Sequence, residues 1–154
     1  MFLQHDSQPN VTTVYLPGLR LAEVGVARDC VSGVLSGEAP GTRDTALLLT
    51  SELATNALIH GDTRNTAEPK TGRLAEARPF AVTVDIVTKE ISILVTGAGA
   101  KRATPVIRRQ REWNEAGRGL AWVEALSTAW GTYGDRVSRT VWFTLTRAPV
   151  PVTG

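Results

Sequence analysis

The chain has 154 residues, of which 42% are hydrophobic and 21% are charged, and its formal net charge at pH 7 is +2. These values are typical of one globular domain that is long enough to bury a sizeable core. No apolar run approaches the roughly 20 residues that a membrane span requires, and the N-terminus lacks the features of a secretory signal. We therefore expect a cytoplasmic protein that does not bind membranes.

Cysteine and charge narrow the functional classes further. The chain contains one cysteine and two histidines, which excludes an internal disulfide and disfavours a zinc site. The charge is uneven, because residues 100–119 hold six basic and two acidic side chains. A basic segment in a nearly neutral domain favours a local anionic partner over general nucleic-acid binding.

The N-terminal part of the sequence predicts a tail, a strand and a helix. Residues 1–10 are polar, and we expect a flexible tail there. The alternating, β-branched residues 11–17 predict a strand. Apolar residues at helical spacing predict a helix over 19–37, with Gly37 as its C-cap.

A second helix and a polar loop follow in the sequence. Thr42 is expected to cap a helix over 43–60, which Gly61 would end. Residues 62–79 are polar and include two prolines, and they predict a surface loop.

The C-terminal half predicts four strands and one helix. Residues 80–97 predict two strands joined by a tight turn at 88–90. Residues 98–118 have no clear period, whereas 119–131 return to helical spacing. Residues 132–147 predict a final hairpin that turns near 134–138, and 148–154 form a C-terminal tail.

Strands in runs with few alternations indicate the fold class. The order is strand, helix, helix, strand, strand, helix, strand, strand over the folded domain, residues 11–147. This order predicts an α+β fold, a two-layer α/β sandwich with a mixed, mostly antiparallel sheet and helices on one face.

The second predicted helix carries a polar stripe. Glu52, Asn56 and His60 are four residues apart and therefore share one face, with Ser51 and Thr55 beside them. One interpretation is a solvent-facing stripe on an amphipathic helix. The other is the lining of a cleft, in which an Asn carbonyl suits Mg²⁺ and a Glu acts as a general base.

Two glycine-rich points follow in the sequence. The segment VTGAGA places Gly97 and Gly99 at the end of a strong strand, and EAGRGL places Gly117 and Gly119 at the start of a helix. Glycines permit close backbone approach, and free N–H groups at a helix N-terminus favour phosphate. Either pair alone is also explained by ordinary turn chemistry.

Together these motifs resemble the ATP-binding domain shared by histidine kinases, gyrase-type ATPases, Hsp90 chaperones and mismatch-repair ATPases, also called the GHKL or Bergerat fold. The segment SELATNALIHG resembles the N box of that family, VTGAGA stands at its Asp-x-Gly box, and EAGRGL resembles its Gly-x-Gly box. The short lid over 98–118 and the closing segments are most similar to the small anti-sigma factor serine kinases of actinobacterial type. The resemblance covers residues 11–147.

The resemblance implies a role for several residues. Asn56 would coordinate the Mg²⁺ that bridges the ATP phosphates, and Glu52 would activate the acceptor serine of a protein substrate. The nucleotide-binding positions would be Asn56, Gly97, Gly99, Gly117, Arg118, Gly119, Leu120 and Thr140. Kinases of this type are commonly homodimers, although the residues themselves do not fix the oligomeric state.

One position departs from the family pattern. An Asp of the middle box reads the adenine amino group in the family, and Gly97 stands at that position here. A hydrogen bond to a charged group contributes about 1.5–3 kcal/mol, so its loss predicts roughly tenfold to hundredfold weaker ATP binding. Strand alternation predicts that the neighbouring Thr96 points to the opposite face.

The basic lid has two interpretations. Arg108, Arg109 and Arg111 either meet phosphates or an acidic partner, or form a solvated loop. Trp113 in the same segment is more typical of a contact residue, because an aromatic side chain in a polar segment often anchors an interface.

Three functional hypotheses follow. The first, implied by the resemblance, is a serine protein kinase that controls transcription by binding a sigma factor and phosphorylating an anti-sigma-antagonist protein. The second, motivated by Gly97, is a non-catalytic module of the same fold that sequesters a regulator. The third is a nucleic-acid binder, which the small net charge disfavours. We favour the first because the residues of phosphoryl transfer are present.

Overall fold

The structure, a computed structural model, describes residues 2–5, 10–59, 65–99 and 119–149. The described chain forms, in order, strands β1 (Phe2–His5) and β2 (Val11–Leu16), helices α1 (Glu23–Val34) and α2 (Pro40–Ile59), strands β3 (Phe80–Ile86) and β4 (Glu90–Ala98), helix α3 (Gly119–Leu126), and strands β5 (Ala129–Gly134) and β6 (Ser138–Thr146).

The strands form one open sheet in the order β1-β2-β3-β4-β6-β5. Helices α1 and α2 contact each other, and α2 also contacts β4, β6 and α3. This arrangement is an α+β two-layer sandwich, so the predicted fold class is confirmed. We expected a mixed sheet, but every pair of neighbouring strands in the described residues is antiparallel.

Alternation along the strands assigns the two faces of the sheet. On β4, Ile91, Ile93 and Val95 are buried in the core that the helices cover. Ile93 is opposite Phe143 of β6 in the register, so these two side chains share that face. A strand presents successive side chains to opposite faces, and the intervening residue Leu94 therefore lies on the other face.

The buried apolar side chains form one cluster between the helices and the sheet. Its most buried large members are Leu35, Leu49, Leu53, Leu58, Ile91, Ile93 and Phe143. Phe143 is fully buried, so truncation to Ala would remove the ring and leave a cavity. Such truncations cost about 3–5 kcal/mol, which is a large part of the stability of a domain this size.

The second face of the sheet carries threonine pairs and one close packing contact. Thr13 and Thr83 share a hydrogen bond of 2.9 Å across β2 and β3. Further along the face, Gly131 of β5 is opposite Trp142 of β6. A Cβ at position 131 would come within 2.8–2.9 Å of three indole atoms, so only glycine leaves room for this ring.

Helix α1 differs from its predicted bounds at both ends. It begins at Glu23 because the preceding residues form a turn, in which the Glu23 carboxylate accepts hydrogen bonds from the backbone N–H groups of Gly18, Leu19 and Arg20. It ends at Val34, before the predicted cap at Gly37.

Helix α2 begins earlier than predicted, at Pro40. Proline suits the first turn of a helix, because its fixed φ is helical and it lacks an N–H that would have no partner there. Thr42 therefore lies inside the helix and does not cap it. The predicted stop at Gly61 lies outside the described residues.

Two other segments correct the predicted element list. Phe2–His5, predicted to be part of a flexible tail, pairs antiparallel with β2 as strand β1. The predicted helix over 119–131 ends at Leu126, and Ala129–Gly134 forms strand β5. The paired strands β3 and β4 and the final hairpin are confirmed.

The segment 65–79 is a loop, as predicted, but it is anchored to the rest of the fold. Leu21 donates from its backbone N–H to the Gly72 carbonyl, and Leu74 donates to the Leu19 carbonyl. Gly18 has φ of 68°, and its backbone lies so close to Arg78 that a Cβ would overlap the Arg78 carbonyl. The chain before α1 thus holds this loop in place.

Candidate functional site

The polar stripe of α2 is present in the structure. Glu52 and Asn56 lie one helical turn apart and are both half-buried. The Ser51 hydroxyl donates to the Leu47 carbonyl and the Thr55 hydroxyl donates to the Ser51 carbonyl, so both hydroxyls are used within the helix. Among the described residues, neither the Glu52 carboxylate nor the Asn56 amide has a hydrogen-bond partner.

The stripe borders the hydrophobic core. Leu53 and Ala54, which lie between Glu52 and Asn56 in sequence, are buried. Their side chains fix the rotation of α2, because turning the helix would expose them. Glu52 and Asn56 are therefore held at the edge of the core. Together they offer one carboxylate and one amide to a ligand that binds there.

The end of β4 reaches α2 beside Asn56. Gly97 faces Ala57, the residue after Asn56, and a Cβ at position 97 would lie 3.4 Å from the Ala57 Cβ. Two small residues at this point let strand and helix approach closely. The structure therefore brings the end of β4 to the turn of α2 that contains Asn56, and Glu52 lies one turn earlier on the same helix.

The second glycine of VTGAGA, Gly99, packs against the β5–β6 turn. A Cβ at Gly99 would lie 2.3 Å from the Asp135 carbonyl oxygen and 2.7 Å from the Arg136 carbonyl oxygen. The Gly99 N–H also donates to the Val137 carbonyl at 3.1 Å. The backbone of the β5–β6 turn thus lies against Gly99 on the side where a Cβ would point.

Thr140 lies on the other face of the sheet. It is opposite Thr96 in the register, and the two hydroxyls share a 2.7 Å hydrogen bond. Gly97, the next residue on β4, faces the helices, so Thr96 and Thr140 face away from them. The expected orientation of Thr96 is therefore observed. Thr140 does not join the candidate site, because the sheet separates it from α2.

Helix α3 contains the last residues of the second glycine motif. Gly119 is the first described residue of the helix, which the sequence predicts to start within EAGRGL. Leu120 is 4% exposed and belongs to the hydrophobic cluster, so its side chain packs in the core and not against a ligand. Several predicted site residues lie outside the described residues, namely His60, Arg108, Arg109, Arg111, Trp113, Gly117 and Arg118.

Two residues that sequence reasoning missed bind the C-terminal end of α2. The Asn65 amide nitrogen donates to the Leu58 carbonyl at 3.1 Å, and the Arg78 Nε donates to the Ala57 carbonyl at 3.2 Å. Neither residue belongs to a motif of the sequence. The only sequence signal for Asn65 and Arg78 is that each is a polar residue in a loop, too distant along the chain to be recognised as a cap of α2.

The chemistry of the stripe fits a metal-bound phosphate ligand. Mg²⁺ usually takes one or two protein oxygens, and phosphates and water complete its coordination. The Asn56 amide, which has no hydrogen-bond partner among the described residues, offers such an oxygen, and Glu52 is one turn away. Within the described residues no group of three His, Cys, Asp or Glu side chains could hold a metal alone.

The single cysteine does not contribute a reactive thiol to this region. Burial raises the pKa of the Cys30 thiol, and the neighbouring Asp29 carboxylate raises it further. A raised pKa keeps the thiol protonated at neutral pH, and the protonated form is a poor nucleophile. Cys30 lies on α1, whereas the polar stripe lies on α2.

Comparisons with protein-family models and with curated proteins find no match for the chain. The functional inference therefore depends on the residues and on their geometry. No helix in the described ranges has both the length and the apolar character needed to cross a bilayer.

Proposed function

We propose that the protein is a nucleotide-binding regulator of transcription with serine protein kinase activity, which uses ATP and Mg²⁺. The observation that carries the proposal is the pair Glu52 and Asn56. They are one turn apart, half-buried and without partners in the described residues, and they lie beside the contact between Ala57 and Gly97.

Asn56 would hold the metal through its side-chain oxygen. Bound Mg²⁺ supplies charge neutralisation at the ATP phosphates, which is the main requirement of phosphoryl transfer. A neutral amide ligand leaves the charge of the metal available to the phosphates. Asn56 is suited to this role because no other group in the described residues uses its amide.

Glu52 would act on the protein substrate. Its carboxylate is one helical turn before Asn56 and is half-buried at the edge of the core. A carboxylate in this position accepts the proton of a serine hydroxyl as that oxygen attacks the γ-phosphate. The protein would thus supply the general base. The rest of the rate acceleration would come from positioning of the reactants and neutralisation of the phosphate charge.

Base recognition is the weaker part of the proposed site. Gly97 provides no side chain to accept a hydrogen bond from an adenine amino group. Gly99 is covered by the β5–β6 turn, and Thr140 is on the far face. The phosphates and the metal would therefore contribute most of the binding energy, and we expect modest affinity for ATP.

The proposed partners are proteins. A kinase of this type would act in the cytoplasm, bind a sigma factor, and phosphorylate an anti-sigma-antagonist protein on serine. It would function as a homodimer without direct contact to nucleic acid. These partners come from the resemblance of the sequence motifs to anti-sigma factor kinases.

Phosphate transfer from labelled ATP tests the proposal. The full chain is incubated with Mg²⁺, γ-labelled ATP and candidate antagonist proteins, and label on serine is measured. Glu52→Gln should lower transfer by roughly 10²–10⁴-fold while Mg-ATP still binds. Asn56→Ala should abolish Mg-ATP binding and transfer together.

Thr55→Ala is the matched control for both variants. It removes a polar group from the same turn, but that hydroxyl already bonds to the Ser51 carbonyl. We expect normal transfer from this variant. If no antagonist is labelled and Mg-ATP binding is the same in Asn56→Ala as in the wild type, the kinase proposal is wrong.

A second candidate is a non-catalytic module that sequesters a regulator. The absence of a side chain at Gly97 favours it, because a nucleotide site that is no longer used has no need of a base-reading acid. This module would bind its partner equally well with and without Mg-ATP and in Asn56→Ala. A partner affinity that depends on either would exclude this candidate.

A further inference from the structure

We propose that Asn65 and Arg78 are positioning residues that fix the last turn of α2 and thereby set the geometry of Asn56 for the metal. The inference rests on the proposed function, in which Asn56 is the metal ligand. It concerns the loop 65–79, to which the sequence motifs assign no role.

The C-terminal end of α2 needs outside partners. The last four carbonyl groups of an α-helix have no intrahelical donor, and helix ends fray when these groups are left to water. The last turn of α2 contains no basic residue that could interact with them. Ala57 and Leu58 lie in the last described turn of α2, which extends to Ile59.

Asn65 binds this end through both atoms of its amide. Its nitrogen donates to the Leu58 carbonyl at 3.1 Å and to the Glu76 carbonyl at 2.7 Å, while its oxygen accepts from the Glu76 N–H at 2.9 Å. The side chain is 7% exposed. A buried amide with three hydrogen bonds has a fixed orientation, so the end of the helix and the loop move as one unit.

Arg78 binds the adjacent carbonyl. Its Nε donates to the Ala57 carbonyl at 3.2 Å, and its positive charge is favourable at a helix C-terminus. The Arg78 backbone is itself held by Gly18, since the Arg78 N–H donates to the Gly18 carbonyl at 2.9 Å. Gly18 in turn donates to the Glu23 carboxylate at 2.8 Å.

These contacts act on the turn that contains Asn56. Ala57 follows Asn56 directly, its carbonyl accepts the Arg78 hydrogen bond, and its Cβ faces the backbone of Gly97. Mg²⁺ demands nearly ideal octahedral geometry with short metal–oxygen distances. A frayed last turn would displace the Asn56 oxygen, and restoring its position on binding would reduce the affinity for the metal.

The experiment separates the metal from the nucleotide. Binding of ATP is measured by calorimetry with Mg²⁺ and with EDTA, for the wild type, Asn65→Ala and Arg78→Ala. Residues that position a metal ligand typically contribute about 10–100-fold to metal affinity. We therefore expect the gain in ATP affinity that Mg²⁺ provides to fall by about tenfold in each variant, with metal-free binding unchanged.

Thr71→Ala is the matched control in the same loop. Thr71 bonds to Glu68 at the exposed surface and does not reach α2. The gain in ATP affinity that Mg²⁺ provides should be the same in Thr71→Ala as in the wild type. Arg78→Lys should recover part of the gain, because lysine still offers a charged donor to the Ala57 carbonyl.

The outcomes distinguish this inference from the proposed function. In one outcome, Mg²⁺ raises the ATP affinity of the wild type and of both variants by the same factor. In another, both variants lose metal-free ATP binding to the same extent as Mg-ATP binding. Either outcome overturns the positioning role and leaves the proposed site in place. If the wild type shows no Mg²⁺ gain, the metal role of Asn56 is overturned, and the positioning role with it. Should Asn65→Ala fail to fold, the Arg78 variants give the same test.

Discussion

A Cβ placed on Gly97 would lie 3.4 Å from the Cβ of Ala57, which is an ordinary van der Waals separation. The strand end and the helix are therefore close, but a side chain at position 97 does not require either to move. This contact is next to Asn56, where we propose that the metal is held. The space beside Ala57 consequently accommodates a Cβ at position 97.

Gly97→Asp is expected to strengthen Mg-ATP binding. The new carboxylate can accept a hydrogen bond from the adenine amino group, and a bond of this kind contributes about 1.5–3 kcal/mol. Calorimetry should show roughly tenfold to hundredfold higher affinity. Gly97→Ala is the control, because it adds the Cβ without an acceptor. Equal affinities for Asp and Ala would show that position 97 does not contact the base.

The Glu23 carboxylate is expected to stabilise the start of α1. It accepts three backbone hydrogen bonds of 2.6–2.8 Å from residues 18–20. Glu23→Gln removes the charge, and we expect a loss of about 1–2 kcal/mol in the free energy of unfolding, since two of these bonds are exposed. Urea denaturation measures it. Asp44→Asn, an exposed site on α2, should change stability by less than about 0.5 kcal/mol.

Glu38 and Arg147 form an ion pair with two contacts. Arg147 Nη2 lies 2.8 Å from Glu38 Oε1, and Arg147 Nε donates to Glu38 Oε2 at 3.1 Å. The pair joins the connection between α1 and α2 to the end of β6. A double-mutant cycle of Glu38→Gln and Arg147→Ala should give a coupling energy of about 1–3 kcal/mol, because the Glu38 side chain is only 8% exposed.

The single variants of this pair should differ. Arg147 also donates through Nη1 to the Val87 carbonyl at 3.1 Å, so Arg147→Ala breaks more contacts than Glu38→Gln. We expect Arg147→Ala to lower the free energy of unfolding more. Additive effects in the cycle, within about 0.5 kcal/mol, would mean that the ion pair contributes nothing of its own.

Asp135 is expected to make stability depend on pH in the acid range. Hydrogen bonds from the backbone N–H groups of Ser138 and Val137 lower the pKa of its carboxyl. When the pKa of a carboxyl is lower in the folded than in the unfolded state, its ionised form stabilises the fold. For Asp this stabilisation is fully present at pH values above the unfolded-state pKa of about 3.9, and it is lost as the pH falls through the folded-state pKa.

Asp135→Asn isolates this effect. The wild type should unfold at a higher temperature than the variant at pH 7, and the difference should shrink as the pH falls below about 4. Thermal unfolding at a series of pH values measures it. A difference that stays constant over this range would show that the Asp135 carboxyl titrates alike in both states.

The sequence predicted the sheet better than the helix ends. Strands β3 and β4 follow from alternating valines and isoleucines, and their register agrees with that pattern. The start of α1 and the end of α3 do not follow from local periodicity. Glu23 binds the backbone before α1, and the pairing of Ala129 with Thr144 draws residues from a helical pattern into strand β5.

The candidate site likewise contains residues whose positions the sequence predicts and residues whose positions it does not. The spacing of Glu52 and Asn56 on one helix places them on a common face, and this can be predicted from the sequence. The position of Thr140 cannot, because it depends on the pairing register of β4 and β6. Asn65 and Arg78 reach α2 from a loop that is also hydrogen-bonded to residues 18–21, and such long-range contacts do not follow from local sequence.

The packing of Trp142 against Gly131 couples the substitutions that these two positions can accept. A β-carbon at 131 would come within 2.8–2.9 Å of the indole ring, so a larger residue there requires the ring to shift or to be replaced. We therefore expect positions 131 and 142 to vary as a pair among proteins that share this hairpin, with a larger residue at 131 accompanied by a smaller one at 142.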